Sequence, residues 1–399
     1  MMAPERFSAL PEYAFPRLRR LLHGHAPGGE VIDMTIGEPR HAPPPFVAEI
    51  LAREVAGFAK YPPNEGTPGL REAFAGWLER RYGVASDPES EVTVLNGTRE
   101  GLFNAALALC PEEKGGRPAV LVPNPFYQVY AVAAQAVGAE PVFVNATAES
   151  GFLPDFAALP EAVLARTAVA YMCSPSNPQG AVASEAYWRE LLTLAERYDF
   201  VVFADECYSE IWRDAPPPGA WPVVDQMGLS RDRVVIFHSL SKRSNLPGLR
   251  SGFAASGAGN MGRIKQLRAY AGAPLPLPLQ HVAEAAWRDE AHVDASRALY
   301  QEKYAIADDV FAGFEGYAGP AGGFFLWLPV PEKMGDGEAA VLALWQRAGV
   351  RALPGAYLSR DTARGNPGAA YVRLAMVAGA DEVARGLTAV RDLFDEGTT

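Results

Sequence analysis

The sequence has little cysteine, little histidine and no long hydrophobic run. Its 399 residues include 3 cysteines and 6 histidines. Cys110, Cys173 and Cys207 are odd in number and stand in apolar surroundings, which predicts buried thiols in a reducing compartment rather than disulfides or a metal site. Without an apolar run of about 18 residues, no membrane span is expected.

Basic residues are also fewer than acidic residues. The chain carries 36 Lys and Arg against 47 Asp and Glu, and its formal net charge is −11. This balance disfavours nucleic acid as a partner. It also repels anionic ligands at long range, so any anion site must depend on a few local arginines. The first residues lack the basic and then apolar pattern of a signal peptide, so we expect a cytoplasmic protein.

The length predicts two domains, because one hydrophobic core seldom serves a chain of this size. We expect an N-terminal arm with part of a small domain over residues 1–45, a large domain over 46–285 and a small C-terminal domain over 286–399. Between about residues 92 and 254, apolar strands alternate with helices, which predicts an α/β fold with a mainly parallel sheet. The remainder is typical of an α+β unit, with a long helical region over 279–314 that breaks near Asp289.

Polar clusters directly follow several of the predicted strands. They occupy residues 96–101, 123–127, 174–180, 205–208 and 239–250. Ligands of open α/β sheets bind at the carboxyl ends of the strands, so we expect these clusters to meet at one edge. Their shared position favours one common site over a set of unrelated loops.

The cluster around Lys242 is the most informative of these. A lysine at the end of the strand 234–237 could form a Schiff base, and Ser239, Ser241 and Arg250 could hold a phosphate. Taken alone, the same residues also fit a solvated loop after a strand. The other clusters make the functional interpretation the better one.

A second anion site is indicated at residues 96–101, ahead of a helix predicted over 102–109. The first amides of a helix favour an anion because their donors and the helix dipole point the same way. A plain helix cap by Asn96 or Thr98 is the competing interpretation. The loop has neither the Gly-Lys-Ser/Thr of a Walker motif nor the Gly-x-Gly-x-x-Gly of a dinucleotide-binding turn.

In their order along the chain, these motifs resemble the fold type I aminotransferases that use pyridoxal 5′-phosphate. The resemblance covers nearly the whole chain. It implies a mainly parallel seven-stranded sheet in the large domain and a smaller α+β domain. The matching positions are Gly37, Tyr61, Gly97, Thr98, Arg99, Tyr127, Asn177, Asp205, Tyr208, Ser239, Ser241, Lys242, Arg250 and Arg373.

The resemblance assigns most of these residues to the cofactor. Lys242 would be the Schiff-base lysine and the shuttle for the substrate's α-proton, and Asp205 would pair with the protonated pyridine nitrogen. Tyr208 and Asn177 would bind the phenolate oxygen of the ring, and Tyr127 would stack on its face. The phosphate would be held by the amides of Gly97, Thr98 and Arg99, the hydroxyls of Ser239 and Ser241, and the guanidinium of Arg250.

The remaining matches imply how substrates and a second subunit take part. Arg373 would bind the α-carboxylate of the amino acid or 2-oxo acid substrate, with Gly37 and Asn177 beside it. Tyr61 would reach the phosphate of a neighbouring subunit, which implies a homodimer with shared active sites. The expected cofactor is pyridoxal 5′-phosphate, and no metal is expected.

A finer resemblance, over 96–103, 123–130, 205–211, 239–253 and 287–293, is to bacterial succinyldiaminopimelate aminotransferases. It implies transamination between N-succinyl-LL-2,6-diaminopimelate and 2-oxoglutarate, in lysine biosynthesis. The Pro-rich run 274–278 departs from that pattern, which leaves recognition of the distal end of the substrate open. Arg243, Arg268 and residues 15–25 are candidates for it.

Three alternatives remain at this point. The chain could be another class I or II aminotransferase, of the aspartate, aromatic or acetylornithine type. It could be a C–S β-lyase, since such enzymes share Lys242, Asp205 and Arg373. A remote alternative is a non-catalytic effector-binding domain of a transcription regulator, which the short stretch before the fold disfavours.

Overall fold

The computed structural model describes residues 5–8, 10 and 12–396. The strands in this part of the chain are β1 (Ile32–Asp33), β2 (Val92–Leu95), β3 (Ala119–Asn124), β4 (Glu140–Asn145), β5 (Thr167–Cys173), β6 (Val201–Asp205), β7 (Val234–Ser239), β8 (Gly252–Ala255), β9 (Phe325–Pro329), β10 (Val350–Arg351), β11 (Leu353–Pro354) and β12 (Tyr371–Ala375). The α-helices are α1 (Ala14–Leu22), α2 (Phe46–Glu54), α3 (Pro68–Tyr82), α4 (Thr98–Leu109), α5 (Val129–Ala136), α6 (Glu161–Leu164), α7 (Glu185–Tyr198), α8 (Ala220–Gln226), α9 (Leu240–Arg243), α10 (Ala258–Ala271), α11 (Leu277–Arg288), α12 (Ala291–Val310), α13 (Gly337–Ala348) and α14 (Ala380–Glu396). Among these helices, none is long and apolar enough to cross a membrane.

The large sheet contains seven strands in the order β2-β8-β7-β6-β5-β3-β4. Neighbouring strands are parallel except at β8, which runs antiparallel to both β2 and β7. The carboxyl ends of the parallel strands therefore lie at one edge of the sheet. The prediction of an α/β fold with a mainly parallel seven-stranded sheet is confirmed.

Both faces of this sheet are buried, as its continuous apolar strands require. Alternate residues of β5 show the arrangement: Ala170 and Met172 belong to one hydrophobic cluster, and Val169 and Tyr171 belong to another. Helices α3, α7, α8 and α11 supply the first cluster, and α4, α5 and α10 supply the second. The sheet is thus a rigid platform between two helical layers.

A third hydrophobic cluster gathers the C-terminal part of the chain around the three-stranded sheet β11-β12-β9. The N-terminal segment joins it, because Ala14 and Leu18 of α1 are buried there and β1 pairs with β10. The predicted domain boundary between residues 285 and 286 lies inside α11, whose Trp287 belongs to a cluster under the large sheet. The division into domains itself stays a prediction.

Two predicted helix boundaries can be compared directly with the structure. The expected break near Asp289 is present, since α11 ends at Arg288 and α12 begins at Ala291. Helix α4 begins at Thr98, one turn before the predicted start at residue 102. Gly97 explains this difference, because its φ of +79° allows a turn that few other residues adopt and so lets the helix begin at once.

The hydrophobic cluster of the C-terminal unit generates a stability prediction. Leu387 of α14 is 0% exposed and Leu299 of α12 is 44% exposed, and both lie within long helices. Leu387→Ala is expected to cost about 2–5 kcal/mol of unfolding free energy because it leaves a cavity. Leu299→Ala, the matched control, should change stability by less than about 0.5 kcal/mol. Urea unfolding would measure both; equal losses would contradict this assignment of the core.

Candidate active site

The carboxyl ends of the parallel strands open into one cavity of about 520 Å³. The N-terminal arm closes it from the opposite side with Tyr13, Ala14 and Phe15. The structure thus brings together polar clusters that lie far apart in the sequence. The predicted site residues that line the cavity are Gly37, Thr98, Arg99, Tyr127, Asn177, Asp205, Tyr208, Ser239, Ser241, Lys242, Arg250 and Arg373.

Lys242 lies on the short helix α9, directly after β7. Its amine donates a hydrogen bond to the carbonyl oxygen of Gly37 and lies 5.2 Å from the ring centroid of Phe324. Burial is the largest of several effects that together lower the pKa of Lys242 to about 8; Cys207 and Glu38 raise it, whereas Arg373 and Arg250 lower it. About half of the amines are therefore uncharged near pH 8, and an uncharged amine can accept a proton.

Asp205, at the end of β6, is a carboxylate buried to 3% exposure. It accepts hydrogen bonds from the Tyr130 hydroxyl at 2.7 Å and from the Cys207 amide at 3.4 Å. Burial raises the pKa of Asp205 above its ordinary value, and these hydrogen bonds oppose the rise. Within residues 12–396 no cationic side chain forms an ion pair with Asp205, so this end of the cavity favours a cationic ligand group.

Tyr130 is a site residue that the sequence interpretation missed. It is buried in α5 and packs edge-on against Tyr127, with 5.8 Å between the ring centroids. Tyr127 precedes α5, so helical spacing does not relate the two rings, and no local signal in the sequence marks Tyr130. Both tyrosines line the cavity, and a buried carboxylate such as Asp205 needs a donor of this kind.

An anion site lies where β2 meets α4. The guanidinium of Arg250 donates to two backbone carbonyl oxygens, at 2.9 and 3.2 Å. A Cβ at Gly97 would overlap that guanidinium, so only glycine leaves this space open. Helix α4 starts at Thr98 without a side-chain cap, and the Ser239 hydroxyl donates to that of Ser241 at 2.9 Å. Guanidinium, amide and hydroxyl donors thus surround one position, as a phosphate requires.

Arg373 forms a second anion site, on β12 of the C-terminal unit. Arg373 is 5% exposed, and its guanidinium carbon lies 4.2 Å from the ring centroid of Phe325. It donates to the carbonyl of Thr35 at 2.6 Å and to Oδ1 of Asn177 at 3.2 Å. Its Nε has no hydrogen-bond partner in the described part of the chain. Burial lowers the pKa of Arg373 to about 10, and a carboxylate ligand would complete its hydrogen bonds.

Gly37, Asn177 and Tyr208 complete the wall between these two anion sites. A Cβ at Gly37 would overlap the ring of Phe325, so a larger residue cannot stand there. The Oδ1 of Asn177 already accepts from an arginine, which leaves its amide nitrogen as a donor toward the cavity. The Tyr208 ring packs edge-on against Phe324, with 5.4 Å between centroids.

Arg99 contributes its side chain as well as its amide. The guanidinium lines the cavity, and its Nε donates to the Tyr127 hydroxyl at 2.5 Å. That hydrogen bond, followed by the attraction of Tyr127, raises the pKa of Arg99. None of the carboxylates in residues 12–396 forms an ion pair with it. The sequence interpretation used only the backbone of this residue, because position in a loop does not show where a long side chain ends.

Some of the proposed residues lie outside the cavity. Tyr61 is 99% exposed and does not line the cavity, so a single chain leaves its ring almost entirely in solvent. Arg243 and Arg268, which were candidates for recognising the distal end of the substrate, are buried in ion pairs with Glu290 and Glu100, each at 2.8 Å. These two arginines are therefore structural, and that prediction is wrong for them.

Comparison with known proteins gives consistent matches over the full length. The model of the family "Aminotransferase class I and II" matches residues 29–388. An LL-diaminopimelate aminotransferase of Dehalococcoides mccartyi is 32% identical over 97% of both chains. Among solved structures, an aminotransferase of Neisseria meningitidis is 38% identical with a TM-score of 0.93, covering 98% of this chain and 99% of the other. A probable N-succinyldiaminopimelate aminotransferase of Thermus thermophilus is 26% identical with a TM-score of 0.83, covering 95% and 99%.

The environment of Lys242 generates a prediction about its reactivity. In protein freed of bound small molecules, acetylation of this amine should rise with pH around a midpoint near 8, because burial favours its uncharged form. Mass spectrometry of the peptide that carries Lys242 would measure the rate. An Nα-acetyl-lysine amide control should follow the ordinary lysine pKa of about 10.4. A protein midpoint at that higher value would contradict the effect of burial.

Proposed function

The chain belongs to the class I and II aminotransferases, and from that premise we propose that it transfers amino groups between a diaminopimelate-type amino acid and 2-oxoglutarate. The family depends on pyridoxal 5′-phosphate. The reaction exchanges an amino group for a carbonyl oxygen between two 2-substituted acids, so no external oxidant or reductant is consumed. The proposal rests chiefly on the lining of one cavity, where Arg250, Arg373 and Arg99 offer separate donors that suit a phosphate, an α-carboxylate and a further carboxylate.

The residues at the site fit pyridoxal phosphate. The buried Asp205, which lacks an ion-pair partner within residues 12–396, suits a protonated pyridine nitrogen, and Tyr130 holds its carboxylate in place. The donors around Arg250 and the open space at Gly97 suit the phosphate. Lys242 lies between them with an amine that burial keeps partly uncharged. The three groups match the three functional ends of the cofactor.

When bound, pyridoxal phosphate supplies an electron sink that stabilises the negative charge left at the substrate's α-carbon. We assign to Lys242 the covalent attachment of the cofactor and, once its amine is free, the removal and return of the α-proton. A pKa of about 8 suits both tasks, since a general base works best when its pKa is close to the operating pH. Tyr208 and the amide nitrogen of Asn177 are placed to donate to the ring oxygen, and Tyr127 to pack on the ring.

Arg373 is proposed to bind the substrate's α-carboxylate. Each of its Nη atoms makes one hydrogen bond and its Nε makes none among residues 12–396, so several of its five N–H donors still need an acceptor in this buried setting. A carboxylate supplies two acceptor oxygens in the planar geometry that a guanidinium prefers. This contact orients the α-carbon toward Lys242, whose amine is already held on the neighbouring Gly37 carbonyl.

Arg99 is proposed to bind a second, distal carboxylate. Its guanidinium faces the same cavity near Tyr13 of the arm, and no ion pair within residues 12–396 occupies it. Diaminopimelate derivatives and 2-oxoglutarate each carry at least one carboxylate besides the α-carboxylate at the reacting end, so one arginine can serve both halves of the reaction. The net charge of −11 makes such local arginines necessary.

The form of the diaminopimelate substrate is the finest part of the proposal. The sequence motifs favour the N-succinyl derivative, as does the name of the Thermus thermophilus neighbour. The Dehalococcoides mccartyi relative is named for free LL-diaminopimelate. Both have the same seven-carbon diacid skeleton, and both therefore present the two carboxylates that the proposed roles of Arg373 and Arg99 require. Lysine biosynthesis in the cytoplasm is the corresponding proposed role.

A homodimer with shared active sites is proposed on separate grounds. Tyr61 is 99% exposed, and Val55, Phe58 and Tyr270 are also large, exposed hydrophobic residues. Exposed apolar surface of this kind is typical of a surface that a partner covers. A second copy that received Tyr61 near the phosphate site would account for its exposure in one chain.

The substrate assignment can be tested by amino transfer to 2-oxoglutarate. Protein loaded with pyridoxal phosphate would be assayed for glutamate with LL-diaminopimelate, N-succinyl-LL-diaminopimelate, aspartate, phenylalanine and N-acetylornithine. The highest kcat/KM is expected with one of the two diaminopimelates, because relatives that match nearly the whole chain are named for these donors and the donors carry both carboxylates that the two arginines would bind. Lys242→Ala should abolish turnover without unfolding. A higher kcat/KM for any other donor, or pyruvate release from cystathionine, would contradict the proposal.

The two arginines make a matched pair of predictions. Arg373→Leu should raise KM for every donor, because each carries an α-carboxylate. Arg99→Leu should raise KM about 10–100-fold for dicarboxylic donors alone, as expected from losing a charge-assisted hydrogen bond of ~1.5–3 kcal/mol. Half-reactions with donor alone, using diaminopimelate and alanine, would separate the effects. An equal loss for alanine in the Arg99 variant would remove it from substrate recognition.

A further inference from the structure

The three residues that follow Lys242, residues 243–245, form hydrogen bonds with the end of α11, the start of α12 and the junction between them. Helix α11 packs under the large sheet, and α12 packs against α14 in the C-terminal unit. Only Asp289 and Glu290 separate the two helices. The junction therefore connects the two units of the chain at a point directly behind the reactive lysine.

Arg243 makes the first of these connections. It is buried and donates to the carbonyl oxygens of Ala286 at 2.7 Å and Asp289 at 3.3 Å. The same guanidinium pairs with Glu290 at 2.8 Å and lies 4.8 Å from the ring centroid of Trp287. The guanidinium of Arg243 thus contacts both the last turn of α11 and the two residues of the junction.

Ser244 makes the second connection, through a histidine. The Nδ1 of His292 lies 2.5 Å from a carboxylate oxygen of Asp289, and Nε2 lies 2.8 Å from the Ser244 hydroxyl. A carboxylate at Nδ1 requires the proton there, so Nε2 accepts from the serine. The same Asp289 oxygen also accepts from the His292 amide at 3.1 Å. These contacts with Asp289 fix the orientation of the imidazole, so that its Nε2 faces the Ser244 hydroxyl.

This order of serine, histidine and aspartate is also that of hydrolytic triads, but hydrolysis does not fit here. Ser244 is 0% exposed, so a substrate cannot reach its hydroxyl. Its amide is bonded to the carbonyl of Leu240 at 3.0 Å, which closes the short helix that carries Lys242. The hydrogen bond from Ser244 to His292 therefore acts on the position of that helix.

Asn245 and the rest of α12 continue the contact. Asn245 has a φ of +53°, which few residues other than glycine adopt, and it donates to the Ser296 hydroxyl at 3.1 Å. Farther along α12, Tyr300 stacks on Phe324 with 5.6 Å between centroids, and that ring lies 5.2 Å from the Lys242 amine. Helix α12 thus contacts the segment after Lys242 through Ser296, and the ring beside the Lys242 amine through Tyr300.

We propose that His292 is a positioning residue for Lys242, acting through Ser244 and fixed by Asp289. It ties the helix that carries the reactive amine to the first turn of α12, so the amine keeps its alignment. The inference rests on the role of Lys242 proposed above. It also gives a function to the segment 287–293, which the sequence singled out and the cavity does not use.

The test compares His292→Phe, Ser244→Ala and the double variant. Phenylalanine keeps an aromatic ring against Phe46, which lies 5.7 Å from the imidazole, but cannot accept from Ser244. His281→Phe on α11 is the matched control, because that histidine is half-exposed and faces Glu54. His292→Gln, which can still accept from the serine, serves as a rescue variant.

Two measurements distinguish positioning from a general loss of stability. Hydrogen exchange of the peptide over residues 240–246 would be followed in cofactor-free protein, and kcat and KM in loaded protein. The single variants are each expected to speed exchange in that peptide. They should lower kcat about 10–100-fold, as a misplaced reacting group does. KM should change less than about threefold, since Arg373 still binds the substrate.

The double variant decides whether the two residues act together. It should lose no more than either single variant, because both changes remove the same hydrogen bond. His281→Phe should behave as the unchanged protein, and His292→Gln should recover part of the lost kcat. Unchanged exchange and kcat in Ser244→Ala, or additive losses in the double variant, would overturn the proposal. Ser244→Ala decides the question if His292→Phe does not fold.

A separate readout keeps this inference distinct from the role of Lys242 itself. Borohydride reduction followed by peptide mapping shows which lysine carries the cofactor. Attachment to a different lysine would overturn both proposals. Attachment to Lys242 with unaltered exchange and kcat in the variants would overturn only the positioning role of His292.

Discussion

Three chargeable side chains in one cavity, two of them buried and one half-buried, have no ion-pair partners among residues 12–396 and are the constraint on which the site depends. Asp205, Arg373 and Lys242 are each placed where burial disfavours the charged form, and their pKa values move in the corresponding directions. An isolated buried charge is costly unless it is paired or hydrogen-bonded. The protein stabilises these groups partly, with Tyr130, Thr35 and the carbonyl of Gly37, and leaves the remaining capacity to a cofactor and a substrate.

The fold makes this arrangement possible by bringing the charges from separate elements. Asp205 and Lys242 come from the ends of neighbouring parallel strands, which a sheet buried on both faces holds rigidly. Arg373 comes from β12, in the other unit. The proposed phosphate site and the Lys242 amine are thus at the edge of the large sheet, while Arg373, the proposed carboxylate site, belongs to a part of the chain connected to that sheet through α11 and α12. Any relative movement of the two units changes the site directly.

The backbone around Lys242 is supported by contacts with the α11–α12 junction as well as by contacts within the cavity. Arg243 and Ser244 contact the helix junction, and the His292 imidazole joins that junction to the short helix α9. Such support is expected where chemistry requires an amine to be placed within a fraction of an ångström. Two arginines that the sequence offered for substrate binding have structural contacts instead: Arg243 belongs to this junction, and Arg268 of α10 pairs with Glu100 of α4.

The strands, most helices, the common edge and the cavity-lining residues were predictable, because apolar periodicity and strand-end polarity are local signals. Lys242 could be identified from its cluster and from the order of the motifs. Tyr130, the side chain of Arg99 and the His292 contact could not, since each depends on where a long or buried side chain ends after packing. The start of α4 at Thr98 was missed because the conformation of Gly97 becomes defined only beside Arg250. The sequence by itself determined the family and indicated the candidate reacting groups; the tertiary structure decided which charges remain without partners among residues 12–396, because only packing determines burial.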